Sequence, residues 1–384
     1  MSLHTELAAD LAVHAAQGLR RTRRLLASPQ RAQVTVDGRD YTAFCSNDYL
    51  GLAADPRLAQ AAKAGIDRYG VGAGASHLIL GHSSAHHELE AALAAFIRQP
   101  RALLFSTGYM ANMGVVSALV GRGDAVFADR LNHASLNDAA LVSRAVFKRY
   151  AHGDLAALER LLKATPARRR LVITDAVFSM DGDLAPVPGL LELCARHDAY
   201  LLLDDAHGFG VLGAQGRGTL AHFGIASERA ICMATLGKAA GVAGAFVAGS
   251  EALIETLIQR ARTYIYTTAT PPLLAHALLA SLALIEAEDW RRERLRELIR
   301  QLQDELATSA WRLLPSDTPI QPLLVGGNAE ALALSARLAA QGLLVPAIRP
   351  PTVPQGTARL RISLSAAHSR ADVSRLTAAL RQPA

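Results

Sequence analysis

The stretch AICMATLGK, residues 230–238, runs from apolar residues into a glycine and a lysine. Lys238 is one of only four lysines among 384 residues, and arginine supplies nearly all the other side-chain positive charge. Alanine, glycine and valine follow it, and such neighbours would leave an ammonium group poorly solvated. Poor solvation lowers the pKa of a lysine, so the position indicates an amine with a chemical task at the end of a buried strand.

Apolar runs of the same kind recur on both sides of this stretch. They are RALLFS (101–106), DAVFAD (124–129), RLVITDAVF (170–178), YLLLDDAHG (200–208) and GAFVAG (244–249). Helical patterns such as LAALERLLKA (155–164) separate them. Strands that alternate with helices form crossover units, so the sequence predicts an α/β fold with a mostly parallel sheet and helices on both of its faces.

The chain is expected to have three parts. Residues 1–50 form an N-terminal helical segment, with a helix over 3–26, followed by a hairpin around Asp37-Gly38. Residues 51–285 form a large domain that contains the apolar runs. Residues 286–384, which begin with the charged helical pattern EDWRRERLRELIRQLQDELA, form a smaller C-terminal α+β domain.

Composition argues against several classes of function. The formal net charge is +6, but the arginine clusters are short and carry no interleaved aromatic residues, so a nucleic-acid partner is not expected. Three widely spaced cysteines suggest neither a disulfide framework nor a metal cluster, which favours a reducing compartment. Without a signal sequence or an apolar stretch long enough to span a bilayer, the protein is expected to be soluble and cytoplasmic, with no membrane partner.

Polar residues stand at the ends of the apolar runs, and ligands of open parallel sheets bind outside the carboxyl ends of the strands. Gly108 and Tyr109 follow the first run, and His133 follows the second. The ends of the later runs carry Asp175 and Ser179; Asp204, Asp205 and His207; and Thr235, Gly237 and Lys238. We expect these residues to converge on one site.

Two other readings of the sequence are weaker. The glycines of GVGAGAS (70–76) suggest a dinucleotide site, but they follow a helical pattern rather than a strand. His82, His86 and Glu90 fall on one helix face and suggest a metal-dependent hydrolase, yet histidines are common at solvated helix starts. No metal is therefore predicted at the catalytic site.

Pyridoxal phosphate chemistry fits the converging residues better. This cofactor needs a lysine amine for a Schiff base, an acid beside its pyridine nitrogen and backbone N–H groups for its phosphate. Lys238, Asp204 and the pair Gly108-Tyr109 match those three needs. An arginine could not replace Lys238, because a guanidinium stays protonated.

Seven motifs, in order along the chain, resemble those of the α-oxoamine synthases, pyridoxal-phosphate enzymes of the aspartate-aminotransferase fold. They are SNDYLGL (46–52), STGYMAN (106–112), DRLNHASL (129–136), VFSMDGDLAP (177–186), DDAHGFGVLG (204–213), TLGK (235–238) and RPPTVPQGTARLRISL (349–364). The resemblance runs from about residue 20 to the C-terminus. The chain departs from it at Ala239-Ala240 and at His77, where relatives often have other residues.

The resemblance implies roles for the cofactor-binding residues. Lys238 would form the Schiff base and then act as the base at the substrate Cα, while Asp204 would pair with the pyridine nitrogen. His207 would bind the ring hydroxyl and His133 would stack on the ring. The remaining cofactor contacts, the phosphate included, would be Gly108, Tyr109, Ser179 and Thr235.

It also implies a homodimer with shared active sites and a set of substrate contacts. Thr267 would reach the phosphate from the second subunit. Asn47, Thr352 and Arg361 match substrate-contacting positions, with Arg361 as the partner of the amino-acid carboxylate. Arg21 matches the position that meets the far carboxylate of the acyl chain.

Within the family, AIRPPTVPQGTARLR (347–361) and YIYTTATPP (264–272) look most like the member that acts in biotin synthesis. That resemblance implies a decarboxylative condensation of L-alanine with pimeloyl-CoA or pimeloyl-acyl carrier protein. Sister enzymes that use glycine with acetyl-CoA or succinyl-CoA share the cofactor-binding residues and remain the alternative. The sequence leaves the identity of the acyl carrier open.

Overall fold

A computed structural model describes residues 2–17 and 19–382, and within them fourteen strands form three sheets. The strands are β1 (Gln33–Val36), β2 (Arg39–Ala43), β3 (Arg101–Phe105), β4 (Ala125–Asp129), β5 (Val146–Tyr150), β6 (Arg170–Asp175), β7 (Ala199–Asp204), β8 (Ala230–Thr235), β9 (Ala245–Gly249), β10 (Arg312–Leu313), β11 (Ile320–Gly326), β12 (Leu343–Leu344), β13 (Ala347–Ile348) and β14 (Ala358–Ser363).

Fourteen α-helices accompany these strands in the described part of the chain. They are α1 (Leu3–Ala16), α2 (Pro56–Tyr69), α3 (Ser84–Phe96), α4 (Gly108–Leu119), α5 (Ala134–Ser143), α6 (Leu155–Ala164), α7 (Val187–Arg196), α8 (Thr219–His222), α9 (Glu251–Arg260), α10 (Arg262–Ile265), α11 (Pro272–Ala287), α12 (Trp290–Leu306), α13 (Asn328–Ala340) and α14 (Arg370–Arg381). A π-helical turn covers His77–Gly81. None of the described helices is both long enough and apolar enough to cross a bilayer.

The central sheet has the strand order β3-β9-β8-β7-β6-β4-β5. Its strands run parallel except β9, which is antiparallel to both of its neighbours. The predicted mostly parallel sheet is therefore confirmed. The sequence analysis missed the edge strand β5, whose Lys148 and Arg149 lie exposed and interrupt the apolar pattern. Charged residues on an edge strand also discourage pairing with another chain.

Both faces of this sheet are buried, because alternate residues of each strand point to opposite sides. In β7, Leu202 packs into the core formed with α4, α5 and α9, whereas Leu201 and Leu203 pack into the core formed with α6 and α7. This double burial explains why the strands read as unbroken apolar runs. Helices on both faces are thus confirmed.

The remaining sheets involve the two ends of the chain. Strands β10, β11, β14 and β13 form an antiparallel sheet, and Leu298 of α12 and Leu376 of α14 share a core with Leu360 of β14. The hairpin of β1 and β2 turns at Asp37 and Gly38, both at positive φ, as predicted. Strand β12 pairs parallel to β2 and joins the N-terminal hairpin to the C-terminal part of the chain. The predicted domain boundaries after residues 50 and 285 stay a prediction.

The predicted N-terminal helix over residues 3–26 is too long. The helix ends at Ala16, and residues 19–25 have no regular structure. Four arginines within Arg20–Arg24 repel one another, and Gly18 has low helix propensity, so the helical pattern of leucine and alanine does not continue. None of the residues of this helix is buried in the chain.

Candidate active site

A cleft of about 190 Å³ opens at the carboxyl ends of the parallel strands. The structure brings eight of the predicted site residues together around it: Gly108, Tyr109, His133, Ser179, Asp204, His207, Thr235 and Lys238. Asp175, Ser135, Ala206 and Met233 complete the lining.

Lys238 extends from the loop after β8 into this cleft. Its Nζ lies 2.8 Å from His207 Nε2. Burial lowers the pKa of Lys238 to about 8, although the nearby carboxylates of Asp204 and Asp175 act in the opposite direction. A substantial fraction of the amine is therefore neutral near pH 7–8, which is the state that attacks an aldehyde.

His207 is held on its other side by Tyr49. The hydroxyl of Tyr49 lies 2.6 Å from His207 Nδ1 and 3.2 Å from Asn47 Oδ1. Burial, with further contributions from Lys238 and Arg361, lowers the pKa of His207 well below its usual value, so the imidazole is neutral and carries one ring proton. Because a hydroxyl both donates and accepts, Tyr49 can pair with Nδ1 whichever ring nitrogen carries that proton.

Asp204 lies at the end of β7 and is fixed by neutral donors. Asn112 Nδ2 donates to its Oδ2 at 2.8 Å, and the backbone N–H of Ala206 donates to its Oδ1 at 3.1 Å. Asp175 stands beside it in register on β6. Burial, and next the charge of Asp204, raise the pKa of Asp175 well above its usual value. The two neighbouring carboxyl groups thus disfavour each other's negative charge.

His133 precedes α5 and is oriented through both its backbone and its ring. Its N–H donates to Asp175 Oδ2 at 2.9 Å, and its Nδ1 lies 2.8 Å from Ser135 Oγ. Ser135 Oγ also accepts a hydrogen bond of 2.9 Å from Asn112 Nδ2. His133, Ser135, Asn112 and Asp204 thus form one connected network along the wall of the cleft.

The first turn of α4 supplies an anion site at the other end of the cleft. Gly108 and Tyr109 are the first two residues of that helix, and Thr107 caps it by accepting the N–H of Met110 at 3.1 Å. The first N–H groups of a helix have no intrahelical partner and attract phosphate. The hydroxyl of Tyr109 donates to the carboxylate of Asp138, and Thr235 donates to the carbonyl of Gly244 at 3.0 Å.

Arg361, on β14, reaches the cleft edge from the small sheet. Its Nε donates to the carbonyl of Ser179 at 2.6 Å, and its Nη1 donates to Ser363 Oγ at 2.6 Å. Both Nη atoms also lie 3.3 Å from Asn47 Oδ1. The guanidinium is nearly buried, and the longer contacts to Asn47 mark the side on which a carboxylate could bind.

Five residues with a predicted role do not line this cleft within the single chain. Arg361 contacts the lining residue Ser179, and Asn47 contacts Arg361. Arg21 is exposed in the irregular segment after α1, and Thr352 is exposed in the loop before β14. Thr267 lies in the partly exposed segment between α10 and α11. Their assigned roles stay predictions.

The sequence analysis missed Tyr49, Asn112 and Ser135. Each stands inside a quoted motif, but Tyr49 reads as a core aromatic, and Asn112 reads as a polar interruption of an apolar helix. Both are fully buried. The signal that could have found them is a polar group placed where an apolar residue is expected, since buried polar groups need partners.

Comparisons with known proteins agree with this geometry. The family model described as aminotransferase class I and II matches residues 39–380. The 8-amino-7-oxononanoate synthase of Nitrosospira multiformis is 68% identical over 366 residues, which cover 95% of this chain and 92% of that protein. The enzyme of the same name from Nitrosomonas eutropha is 66% identical and covers 98% of both chains.

Solved structures agree as well. The serine palmitoyltransferase of Sphingomonas wittichii has a TM-score of 0.93 at 29% identity, over 99% of this chain and 98% of that one. The 8-amino-7-oxononanoate synthase of Francisella tularensis has a TM-score of 0.77 at 32% identity, over 89% of this chain and 97% of that one. The chain therefore belongs to the aminotransferase class I and II family, within its group of 8-amino-7-oxononanoate synthases.

The cofactor of this enzyme is pyridoxal 5′-phosphate, and the cleft fits it. A lysine with a lowered pKa, the carboxyl group of Asp204 and a helix N-terminus surround this one space. These are the groups required by the aldehyde, the pyridine nitrogen and the phosphate.

The hydroxyl of Tyr49 should contribute measurably to stability. In Tyr49→Phe, Nδ1 of the buried His207 loses its partner, which should lower the free energy of unfolding of the cofactor-free protein by about 1–3 kcal/mol. Urea unfolding measures this difference. Tyr200→Phe, at a half-exposed position, is the matched control and should change stability by less than about 0.5 kcal/mol. A Tyr49→Phe protein as stable as the wild type would contradict the assigned contact.

Proposed function

We propose that the cleft condenses L-alanine with a pimeloyl thioester to give 8-amino-7-oxononanoate, CO2 and free thiol, a step of biotin synthesis. The observation that carries this proposal is the amine of Lys238, which has a lowered pKa and lies 2.8 Å from His207 in a cleft that Asp204 also lines. The high identity to synthases of that name supports the choice of substrates.

The bound cofactor supplies an electron sink that stabilises negative charge at the amino-acid Cα. The protein contributes the proton transfers. Lys238, with its pKa near 8, takes the proton from the alanine Cα and can return one after CO2 has left. Asp204 would pair with the pyridine nitrogen of the bound cofactor and favour a proton on it. His207, oriented by Tyr49, would hold the ring hydroxyl.

Arg361 positions alanine through its carboxylate. Ser179 and Ser363 fix the guanidinium by two short hydrogen bonds, so the group is already oriented when the substrate arrives. The substrate carboxylate then replaces the weaker contacts to Asn47. This contact aligns the Cα with Lys238, and once the acyl group has been added the carboxylate belongs to a β-keto acid that loses CO2 readily.

The acyl donor separates this proposal from its sister reactions. A pimeloyl chain ends in a carboxylate far from the reacting carbonyl, whereas acetyl-CoA has no such group. We assign Arg21 as the partner of that carboxylate. The donor thiol is either coenzyme A or an acyl carrier protein, and the basic segment Arg20–Arg24 suits the phosphate groups of both. Kinetics with the two pimeloyl thioesters would distinguish the carriers.

The enzyme is proposed to work as a homodimer with shared active sites. Leu78, Ile79 and Leu80 are consecutive apolar residues, and the exposed fractions of Ile79 and Leu80 are 77% and 86%. They lie close to the segment that carries Thr267, because Ser76 pairs with Thr268 in an isolated bridge. An exposed apolar surface of this kind is typical of a subunit interface. Thr267 would then reach the phosphate of the partner's cofactor.

Lys238 should be the residue that binds the cofactor covalently. Borohydride treatment of the yellow holoenzyme should fix the cofactor to Lys238, as peptide mass spectrometry can show. Lys238→Ala should abolish both the labelling and the synthase activity, while Lys148→Ala, at an exposed lysine, should change neither. The rate of cofactor uptake should rise with pH up to about 8, where the amine becomes neutral, and then level off. A protein that gains no visible absorption band with pyridoxal phosphate would refute the proposal.

Arg21→Ala should lose activity mainly with the pimeloyl donor. A charge-assisted contact contributes about 1.5–3 kcal/mol, so kcat/KM for pimeloyl-CoA should fall by about 10- to 100-fold. The visible spectrum with L-alanine should not change, because Arg21 does not line the cofactor cleft. Arg23→Ala, in the same exposed segment, is the control. Equal turnover of glycine with acetyl-CoA by the wild type would assign the chain to a sister synthase instead.

Activity should depend on dimerisation. Because Thr267 does not line the cleft of its own chain, a monomer would lack one phosphate contact. Specific activity and the dimer fraction, measured by light scattering over a dilution series, should therefore fall together. A monomer with full activity would rule out the shared site.

A further inference from the structure

Three histidines outside the catalytic cleft lie close together. His77 begins the π-helical turn, His82 follows that turn, and His86 lies in the first turn of α3. One ring nitrogen from each falls within 4.8 Å of those of the other two. The sequence analysis singled out His82 and His86 but paired them with Glu90 and missed His77.

The ring nitrogens are arranged in an ordered way. His77 Nδ1 and His82 Nδ1 are 3.1 Å apart. His86 Nε2 points away from them and lies 2.8 Å from the carbonyl of Thr270. His82 Nε2 faces Glu90, with 3.9 Å between it and Glu90 Oε2. The Nδ1 atoms of the first two rings thus face each other, while two of the Nε2 atoms face oxygen acceptors.

This arrangement matches the way proteins prepare histidine ligands. A ligating imidazole usually donates its other N–H to a carbonyl or carboxylate, which fixes its tautomer and its orientation. Thr270 provides that acceptor for His86 at 2.8 Å, whereas Glu90 Oε2, 3.9 Å from His82 Nε2, is too far for a hydrogen bond. The spacing of 3.1 Å between the facing nitrogens is close to that of two ligands on a tetrahedral zinc ion, whose Zn–N bonds are about 2.0–2.1 Å.

We propose that His77, His82 and His86 form a binding site for one divalent transition-metal ion, with Zn²⁺ as the best-suited ion. Three neutral imidazoles and a fourth position left to water match its preferred ligand set. Glu90 is not among the ligands, and its Oε1 accepts the N–H of Leu104 at 2.9 Å. Binding would replace two contacts of His86 Nδ1, with the N–H of Ser83 at 3.1 Å and with Ser83 Oγ at 3.0 Å.

The contacts of the three rings are compatible with this assignment. The facing Nδ1 atoms of His77 and His82 form a hydrogen bond in the metal-free protein, so the ring that donates it changes tautomer when a metal binds. The ring of His77 also stacks on Tyr264, with 4.9 Å between centroids, which leaves its nitrogen-bearing edge turned to the other histidines. Stacking and metal binding are therefore compatible.

The ion would have a structural role. It would link the π-helical turn to α3 and, through His86, to the segment that ends at Thr270. That segment carries Thr267, and Thr268 pairs with Ser76 just before His77. The site is separate from the catalytic cleft, since none of its three histidines lines that cleft. It thus adds to the proposed function and does not depend on it.

The test is metal binding by the full-length holoenzyme freed of any affinity tag. After incubation with Zn²⁺ and gel filtration, elemental analysis should find one zinc per chain. Co²⁺ should give an absorption band between about 500 and 650 nm, beyond the cofactor band, as expected for a tetrahedral site. Zn²⁺ should also raise the midpoint of thermal unfolding.

His82→Asn is the informative variant, because Asn keeps a polar group beside His77 at a partly exposed position. Its zinc affinity should fall by at least about 100-fold, since the loss of even an outer partner typically costs 10- to 100-fold. Its synthase activity without metal should equal that of the wild type. His222→Asn, at an exposed histidine elsewhere, should bind zinc as the wild type does. A wild type that retains no zinc, or a His82→Asn protein with unchanged affinity, would overturn the proposal.

Discussion

The environment of a single amine determines the rest of this site. Burial lowers the pKa of Lys238 to about 8, while Asp204 and then Asp175 act to raise it. If burial acted alone, the amine would be neutral but would lack an acid partner for the cofactor. If the carboxylates dominated, it would be a permanent ammonium and a poor nucleophile. The site needs both influences, and therefore needs apolar walls and charged groups within a few ångströms of each other.

A parallel sheet meets this requirement. Its strands end at the same edge, so Asp175 and Asp204 stand side by side in register while the rest of β6 and β7 stays apolar. Two buried carboxyl groups at that spacing disfavour each other's negative charge, and burial followed by the charge of Asp204 raises the pKa of Asp175. Asp175 accepts the backbone N–H of His133, while Asp204 accepts an N–H of the Asn112 side chain.

The sequence predicts this part of the molecule well, because the same pattern creates both the fold and the site. An apolar run followed by polar residues gives a buried strand and a strand-end group together, which is why Asp204, His207 and Lys238 could be identified. Such reasoning fails where the partner comes from a distant segment. Tyr49 is 158 positions from His207, and no local pattern links the two.

Residues outside the regular elements are also beyond prediction from local patterns. Arg21 is exposed in an irregular segment, so no pattern of helix or strand indicates where its side chain lies. The end of α1 was predicted wrongly for a related reason. No residue of that helix is buried in the chain, so its apolar residues do not pack against a core that would determine where the helix ends.

The short turn that carries Ser179 connects the small sheet to the active site. Arg361 donates to the carbonyl of Ser179, and Arg359 donates to Asp181 at 2.6 Å. Ser316 and Thr318, just before β11, both donate to the carbonyl of Gly182. A turn at the edge of the large sheet is therefore held by four side chains from the C-terminal part of the chain.

These contacts link substrate binding to the packing of the two sheets. The guanidinium of Arg361 is anchored on a carbonyl of the large sheet's turn and on Ser363 of its own strand, so it cannot shift without moving one of them. Asn47 and Tyr49 join it to His207 on the opposite side. The carboxylate site and the proton-transfer site thus share one hydrogen-bond network, which is why a rigid arrangement of separate chain segments can align the substrate Cα with a single amine.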